Sequence, residues 1–180
     1  MQEDDTLVAG CVKGDRATQR ELYQKYAPRM MAVCLRYCRC REDAEDILQE
    51  SFVKVFNHIN TFRQESTLSY WIKRIVVNTA LNYHRKSVYL YPHLDINEMH
   101  DLGGEDPSLA NYHFKELLTM LRTLPQGCQV VFNLYAIEGY KHREIAHMLD
   151  ISEGTSKSQY ARARSLIKAM LTTKGEVKHG

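Results

Sequence analysis

The sequence predicts an all-α protein: two small helical domains joined by a flexible acidic linker, the C-terminal domain a helix-turn-helix. Three observations predict this. Apolar residues recur three and four apart along most of the chain, and no stretch alternates as a half-buried strand would. The segment "VYLYPHLDINEMHDLGGEDPSLA" breaks that rhythm with Pro92, Gly103, Gly104 and Pro107. Between Tyr140 and Leu171, a short helix, a tight turn and a capped second helix follow one another. The predicted divisions are residues 1–87, 88–110 and 111–180.

A chain of 180 residues can bury one sizeable core or two small ones. It contains no run of about 18 apolar residues, so membrane insertion is not expected. The opening "MQEDDTLVAGCVKGD" is acidic and lacks the basic-then-apolar order of a secretory signal, which predicts a cytoplasmic protein. Its five cysteines are then expected as thiols, and an odd count without CxxC argues against a disulfide framework or a zinc knuckle.

The net charge of +2 says little, but its distribution says more. "EDAEDILQE" (Glu42 to Glu50) holds five acids and no Lys or Arg. Ser66 to Leu94 has no acid, while Lys73, Arg74, Arg85 and Lys86 supply four cations. The sign then reverses through Asp95, Glu98, Asp101, Glu105 and Asp106. Gly154 to Gly175 again carries five cations and no acid. Two basic surfaces flanking an acidic connector are a pattern of binding modules.

In the N-terminal domain, Ala44, Ile47, Leu48, Phe52, Val55 and Ile59 form the apolar stripe of a helix over Glu42–Ile59. Asp46, Gln49 and Glu50 stand beside it. An acidic face would repel DNA, so it points to a protein partner or to solvent. The polar loop Asn60, Thr61, Phe62, Arg63, Gln64, Glu65, Ser66 leads into a helix over Thr67–Lys86 that buries Leu68, Trp71, Ile72, Ile75 and Val76. Its other side carries Arg74, Asn78, Asn82 and Lys86 in steps of four, with Arg85 adjacent. Asn is a poor residue for a helix interior, so two on one exposed stripe suggest a use. Amides offer a donor and an acceptor to base edges, and flanking cations hold phosphates. Tyr70 and Trp71 could stack on bases, but a lone Trp at an apolar helical position belongs more often to the core.

The C-terminal domain opens on Phe114, Leu117, Leu118, Leu121 and Leu124 at helical spacing. In "YKHREIAHMLDISEGTSKSQYARARSLIKAML", Ile145, Ala146 and Leu149 line the inner side of a short helix. Asp150 and Ile151 make the turn, and Ser152 is a good N-cap. Tyr160, Ala163, Ile167 and Met170 form the inner stripe of the second helix, with Lys157, Ala161, Arg164 and Lys168 opposite and Ser158, Arg162 and Ser165 beside them. A helix docked by one stripe and offering hydroxyls and cations on the other fits a recognition helix in a major groove.

Other constellations carry less. Cys34 and Cys38 share a helical face, but Cys40 lies elsewhere on the wheel, and Cys is commonly a small buried hydrophobe. His93, His100 and His113 are irregularly spaced, and His142 and His147 miss the i, i+4 spacing of helical zinc ligands. No phosphate loop, nucleophile elbow or paired catalytic carboxylate motif is present, so neither an enzyme nor a cofactor or metal is expected.

Three stretches, "DAEDILQESFVKVF", "FRQESTLSYWIKRIVVNTALNYHRK" and "LPQGCQVVFNLYAIEGYKHREIAHMLDISEGTSKSQYARAR", occur in the order found in extracytoplasmic-function (ECF) sigma factors of bacterial RNA polymerase. The chain resembles that family from about Leu7 to Leu171. The resemblance implies core RNA polymerase as partner, through the clamp helices of its largest subunit and the flap of the second largest, with Asp46, Gln49 and Glu50 in contact. It implies promoter DNA as the second partner. Asn60 through Ser66 would capture a flipped base of the minus-ten element, with Arg74, Asn78, Asn82, Arg85 and Lys86 along the melted strand. Thr155, Lys157, Ser158, Gln159, Arg162, Arg164 and Lys168 would serve the minus-thirty-five element. It further implies an anti-sigma factor, and an acidic linker threading the polymerase channel. Gln159 and Ala161 stand where family members often carry a cation and an aromatic, so the minus-thirty-five sequence does not transfer from relatives. No further sensory domain is expected after the helix-turn-helix. The alternative reading is a self-sufficient helix-turn-helix transcriptional regulator, which would bind duplex DNA tightly without polymerase.

Overall fold

The computed structural model describes residues 2–90 and 112–177, with side-chain surroundings for 3–83 and 114–172. Residues 88–90 of the predicted linker continue the last helix of the first unit, while 91–110 with the five acids, His93 and His100, and the side chains of Arg85, Lys86 and His113, lie outside the described residues. The chain separates into two compact units, Met1–Ser108 and Leu109–Gly180. Every regular element among the described residues is helical. None of these helices is long and apolar enough to cross a membrane.

The first unit contains α1 (Gln2–Val12), α2 (Arg16–Tyr37), α3 (Arg41–His58), a 3₁₀ turn over Ile59–Thr61, and α4 (Leu68–Leu90). Asp15 caps α2, accepting from the backbone N–H groups of Ala17 at 3.3 Å and Thr18 at 3.1 Å. The carboxyl of Asp15 is held below its ordinary value, chiefly by the Thr18 hydroxyl. A thiol serves as the cap of α3: Cys40 Sγ accepts from Asp43 N at 3.5 Å. Thr67 starts α4, its hydroxyl accepting from Tyr70 N at 3.2 Å.

The three long helices close on Leu22, Leu35, Tyr37, Ile47, Leu68 and Ile72, all buried. Each such side chain contributes about 1.5–3 kcal/mol relative to leaving it in water. Cys34 and Cys38 belong to this core, as small buried hydrophobes do, and burial pushes the Cys34 thiol up to about 12. Two expected core residues do not reach it. Trp71 and Ile75 are only half-buried, and the Trp71 indole packs on Phe62, ring centroids 5.5 Å apart.

The second unit contains α5 (Tyr112–Arg122), α6 (Gln126–Phe132), a π-helical turn over Asn133–Ile137, α7 (His142–Leu149) and α8 (Glu153–Val177). Leu121, Leu124, Cys128 and Ala163 form the centre of its core, with Leu117, Phe132, Leu166, Ile167 and Met170 packed around them. The wide turn closes where Glu138 N donates to Asn133 O at 2.9 Å, and Gly139 follows at φ 82. That left-handed conformation suits glycine and redirects the chain into α7. At the start of α7, Lys141 N donates back to Glu144 Oε2 at 2.7 Å.

Candidate nucleic-acid interface

The α7–α8 turn has the geometry its residues predict. Asp150 takes the left-handed conformation at φ 55, and Ile151 N donates to Ala146 O at 3.1 Å. Ser152 Oγ then accepts from Thr155 N at 2.9 Å, capping α8. Behind α8, Ala163 is buried and Tyr160 lies 4.5 Å from the Tyr135 ring. Thr155, Lys157, Ser158, Arg162, Arg164 and Lys168 are all exposed on the outer side. Arg164 leans over the Tyr160 ring at 5.9 Å.

Two of the predicted contact residues are differently placed. Gln159 is half-buried and its Oε1 accepts from the Cys128 thiol of α6 at 2.9 Å, so its side chain is turned toward the core and away from the outer face. Lys157 is exposed but paired, its ammonium 2.7 Å from Glu153 Oε1. This pair holds the Glu153 carboxyl below its ordinary value.

One anchoring group has no counterpart among the residues predicted from spacing. Ser156 is fully buried, with its hydroxyl 2.9 Å from His142 Nδ1, and the His142 ring stacks on Tyr135 at 4.2 Å. This joins the first turn of α8 to the start of α7. The signal is present in the sequence, since Ser156 extends the stripe Tyr160, Ala163, Ile167 backward by four residues.

In the first unit, Arg74, Asn78 and Asn82 lie exposed along one side of α4. Tyr70 is also exposed, with the Lys73 ammonium 5.5 Å from its ring centre. The loop before α4 presents Arg63, Gln64, Glu65 and Ser66 to solvent, while Phe62 turns inward onto Trp71. Asn60 and Thr61 belong to the 3₁₀ turn, and the Thr61 hydroxyl donates to His58 O at 2.7 Å.

On α3, Asp46, Gln49 and Glu50 are exposed as the pattern predicts. Glu50 accepts from Lys54 at 2.6 Å, and Lys54 also donates to Thr79 of α4 at 3.2 Å. Val53 continues this stripe at 58% exposure, an apolar residue out of phase with the buried face. That mismatch of phase is the sequence signal that marks it. Among the described residues, no three His, Cys, Asp or Glu side chains cluster so as to hold a metal ion.

Residues 22–88 match the family model described as Sigma-70 region 2, and residues 114–167 match Sigma-70, region 4. An ECF RNA polymerase sigma-E factor of Haemophilus influenzae is 30% identical over 177 residues, covering 92% of this chain and 93% of that protein. The protein of the same name from Escherichia coli is 30% identical over 176 residues, covering 91% and 92%. Two solved structures share the fold. The sigma factor RpoE in complex with the anti-sigma factor NepR from Bartonella quintana aligns with TM-score 0.58 at 19% identity, over 85% of this chain and 96% of that one. CnrH in complex with the cytosolic domain of CnrY aligns with TM-score 0.52 at 20% identity, over 95% and 98%.

Proposed function

Since this chain belongs to the ECF branch of the sigma-70 family, a family of transcription initiation factors, we propose that it binds core RNA polymerase and directs initiation by recognising minus-ten and minus-thirty-five elements. The observation that carries this reading is the pairing of two separate polar surfaces with the two family regions. The exposed amides of Asn78 and Asn82 and the Asn60–Ser66 loop fall within the region 2 match. The outward face of α8 falls largely within the region 4 match.

The roles are those the family resemblance implies, and the chemistry of the residues suits them. Asp46, Gln49 and Glu50 form an acidic, amide-bearing strip unsuited to DNA and suited to a basic protein surface; we assign it to the clamp helices of the polymerase's largest subunit, and assign the second unit to the flap. The loop before α4 captures an unpaired base, with Asn78 and Asn82 bonding the separated strand and Arg74, Arg85 and Lys86 holding its phosphates. The N-terminal part of α8 reads duplex bases through Lys157, Ser158 and Arg162, with Thr155 beside them, while Arg164 and Lys168 hold phosphates. Gln159 is left out of base reading because its amide oxygen is engaged by Cys128. We further propose an anti-sigma factor as a regulatory partner, on the strength of the RpoE–NepR complex that shares the fold.

Run-off transcription by reconstituted holoenzyme tests the proposal. Templates from a pool randomised through both promoter segments should be transcribed only when this chain and core polymerase are both present. Tight sequence-specific binding of the free chain to duplex DNA, with no gain from polymerase, would instead establish a self-sufficient regulator.

A further inference from the structure

The loop that leads into α4 is pinned at both ends. At its entry, Phe62 N donates to Ile59 O at 3.2 Å and the Phe62 ring rests on Trp71. At its exit, the Thr67 hydroxyl caps α4. Between these points Gln64 takes φ 57, a left-handed conformation disfavoured for a residue with a Cβ. Its side chain is tethered: Nε2 donates to Asp5 Oδ1 of α1 at 3.0 Å.

Asp5 is carried on a fixed arm. Leu7 and Cys11 of α1 are buried, and the Tyr26 hydroxyl of α2 donates to Asp4 at 2.7 Å. Lys25 pairs with Glu3 at 2.9 Å and Asp4 at 3.0 Å. Gly10 approaches α2 so closely that a Cβ there would lie 2.5 Å from Thr18 Oγ1. The region 2 match begins at residue 22, so this arm stands outside it.

We propose that Asp5 is a positioning residue for the minus-ten loop. Through Gln64 it holds the loop in the conformation that presents Arg63, Glu65 and Ser66 to an unpaired base. The N-terminal helix thereby takes part in promoter selectivity without touching DNA. This rests on the reading that the loop captures a base.

The test uses holoenzyme built from the full chain and core polymerase, on templates selected with the unaltered holoenzyme. Open-complex formation is compared across the four bases at each minus-ten position. Asp5→Ala should lower the preference at one position roughly fivefold, the effect of losing one hydrogen bond, with polymerase binding and helicity unchanged. Asp5→Asn keeps an oxygen acceptor for Gln64 and should restore the preference, which a general helix-stabilising role for the carboxylate would not. In a Gln64→Ala background, Asp5→Ala should have no further effect. If Asp5→Ala keeps full preference while an Arg63→Ala, Ser66→Ala double variant loses it, the proposal is overturned and base capture stands. If none of these variants alters preference, base capture fails and the proposal fails with it.

Discussion

The Tyr83 hydroxyl donates to Asp43 Oδ1 at 2.6 Å, tying α4 to the first turn of α3, the helix with the acidic strip. Tyr83→Phe removes this bond and leaves the carboxylate without its donor, at a cost of about 1–3 kcal/mol. The bond raises the Tyr83 phenol above its ordinary value. The folded state therefore keeps the proton longer than the unfolded chain, so the contribution is whole below pH ~10 and is lost as pH rises beyond it. Denaturant unfolding of both proteins should show a constant stability gap up to that pH and a narrowing gap above it. A gap independent of pH through pH ~11 would rule out the assigned bond.

The α3 strip predicts the behaviour of polymerase binding. Gln49→Ala combined with Glu50→Lys should abolish co-purification with core polymerase while leaving helicity intact. Val53 adds a variant free of the Glu50–Lys54 pair. A carboxylate buried without a partner in a protein contact is costly, so Val53→Asp should weaken core binding about tenfold or more. Unchanged binding in both variants would move the docking face elsewhere.

Asn78 is exposed on α4 and should act on opened DNA. Asn78→Ala is expected to slow promoter opening while sparing polymerase binding, through loss of hydrogen bonds worth about 0.5–1.5 kcal/mol each. Permanganate reactivity on duplex and premelted templates separates the outcomes. Normal use of the premelted template with failure on duplex assigns Asn78 to melting. Equal activity on both leaves it a structural residue.

What could be read from the order of residues depended on the range of the deciding interaction. The Asp150 turn, the Ser152 cap and the stripe through Ala163 are local, and each follows from spacing and turn chemistry. The inward turn of Gln159 is decided by Cys128, on a different helix, which spacing within α8 does not encode. Gln64 meets Asp5 across 59 positions, a pairing no periodicity encodes. The π-helical turn before α7 likewise carries no spacing signal that separates it from an α-helix. Lys157 is a different case. Its i, i+4 relation to Glu153 is legible, yet a charge count that starts at Gly154 leaves Glu153 out and conceals that the cation is shared.

That shared cation has a measurable consequence. Glu153 is held below its ordinary value by Lys157, so the pair persists at neutral pH and is lost as pH falls through the lowered value. An exposed pair of this kind is weak and competes with DNA for the lysine. Glu153→Gln should therefore strengthen holoenzyme binding to promoter DNA about two- to fivefold at low salt. The gain should fade as salt rises, because screening weakens the pair and the lysine's attraction to DNA alike. Binding titrations from low to moderate salt check this; weaker binding in the variant would show that Glu153 serves the helix cap more than it restrains Lys157.

Along α8, reading and holding should separate by position. Ser158 and Lys157 stand in the first two turns, the end that enters the groove in this motif. The Ser158 hydroxyl donates to Thr155 O at 3.0 Å within the helix, which leaves its lone pairs facing outward as acceptors. Lys168 lies more than two turns further on, exposed and beyond reach of base edges if the N-terminal end is inserted. Lys168→Ala should accordingly weaken binding to all sequences about equally and lower the salt slope by roughly one unit. Ser158→Ala or Lys157→Ala should instead change the preferred minus-thirty-five sequence, by about 1–3 kcal/mol for each base no longer read. Selection from a randomised promoter pool with each variant distinguishes the two effects. If every variant recovers the same sequence and differs only in strength, α8 grips the duplex and the specificity of this promoter segment lies in DNA shape.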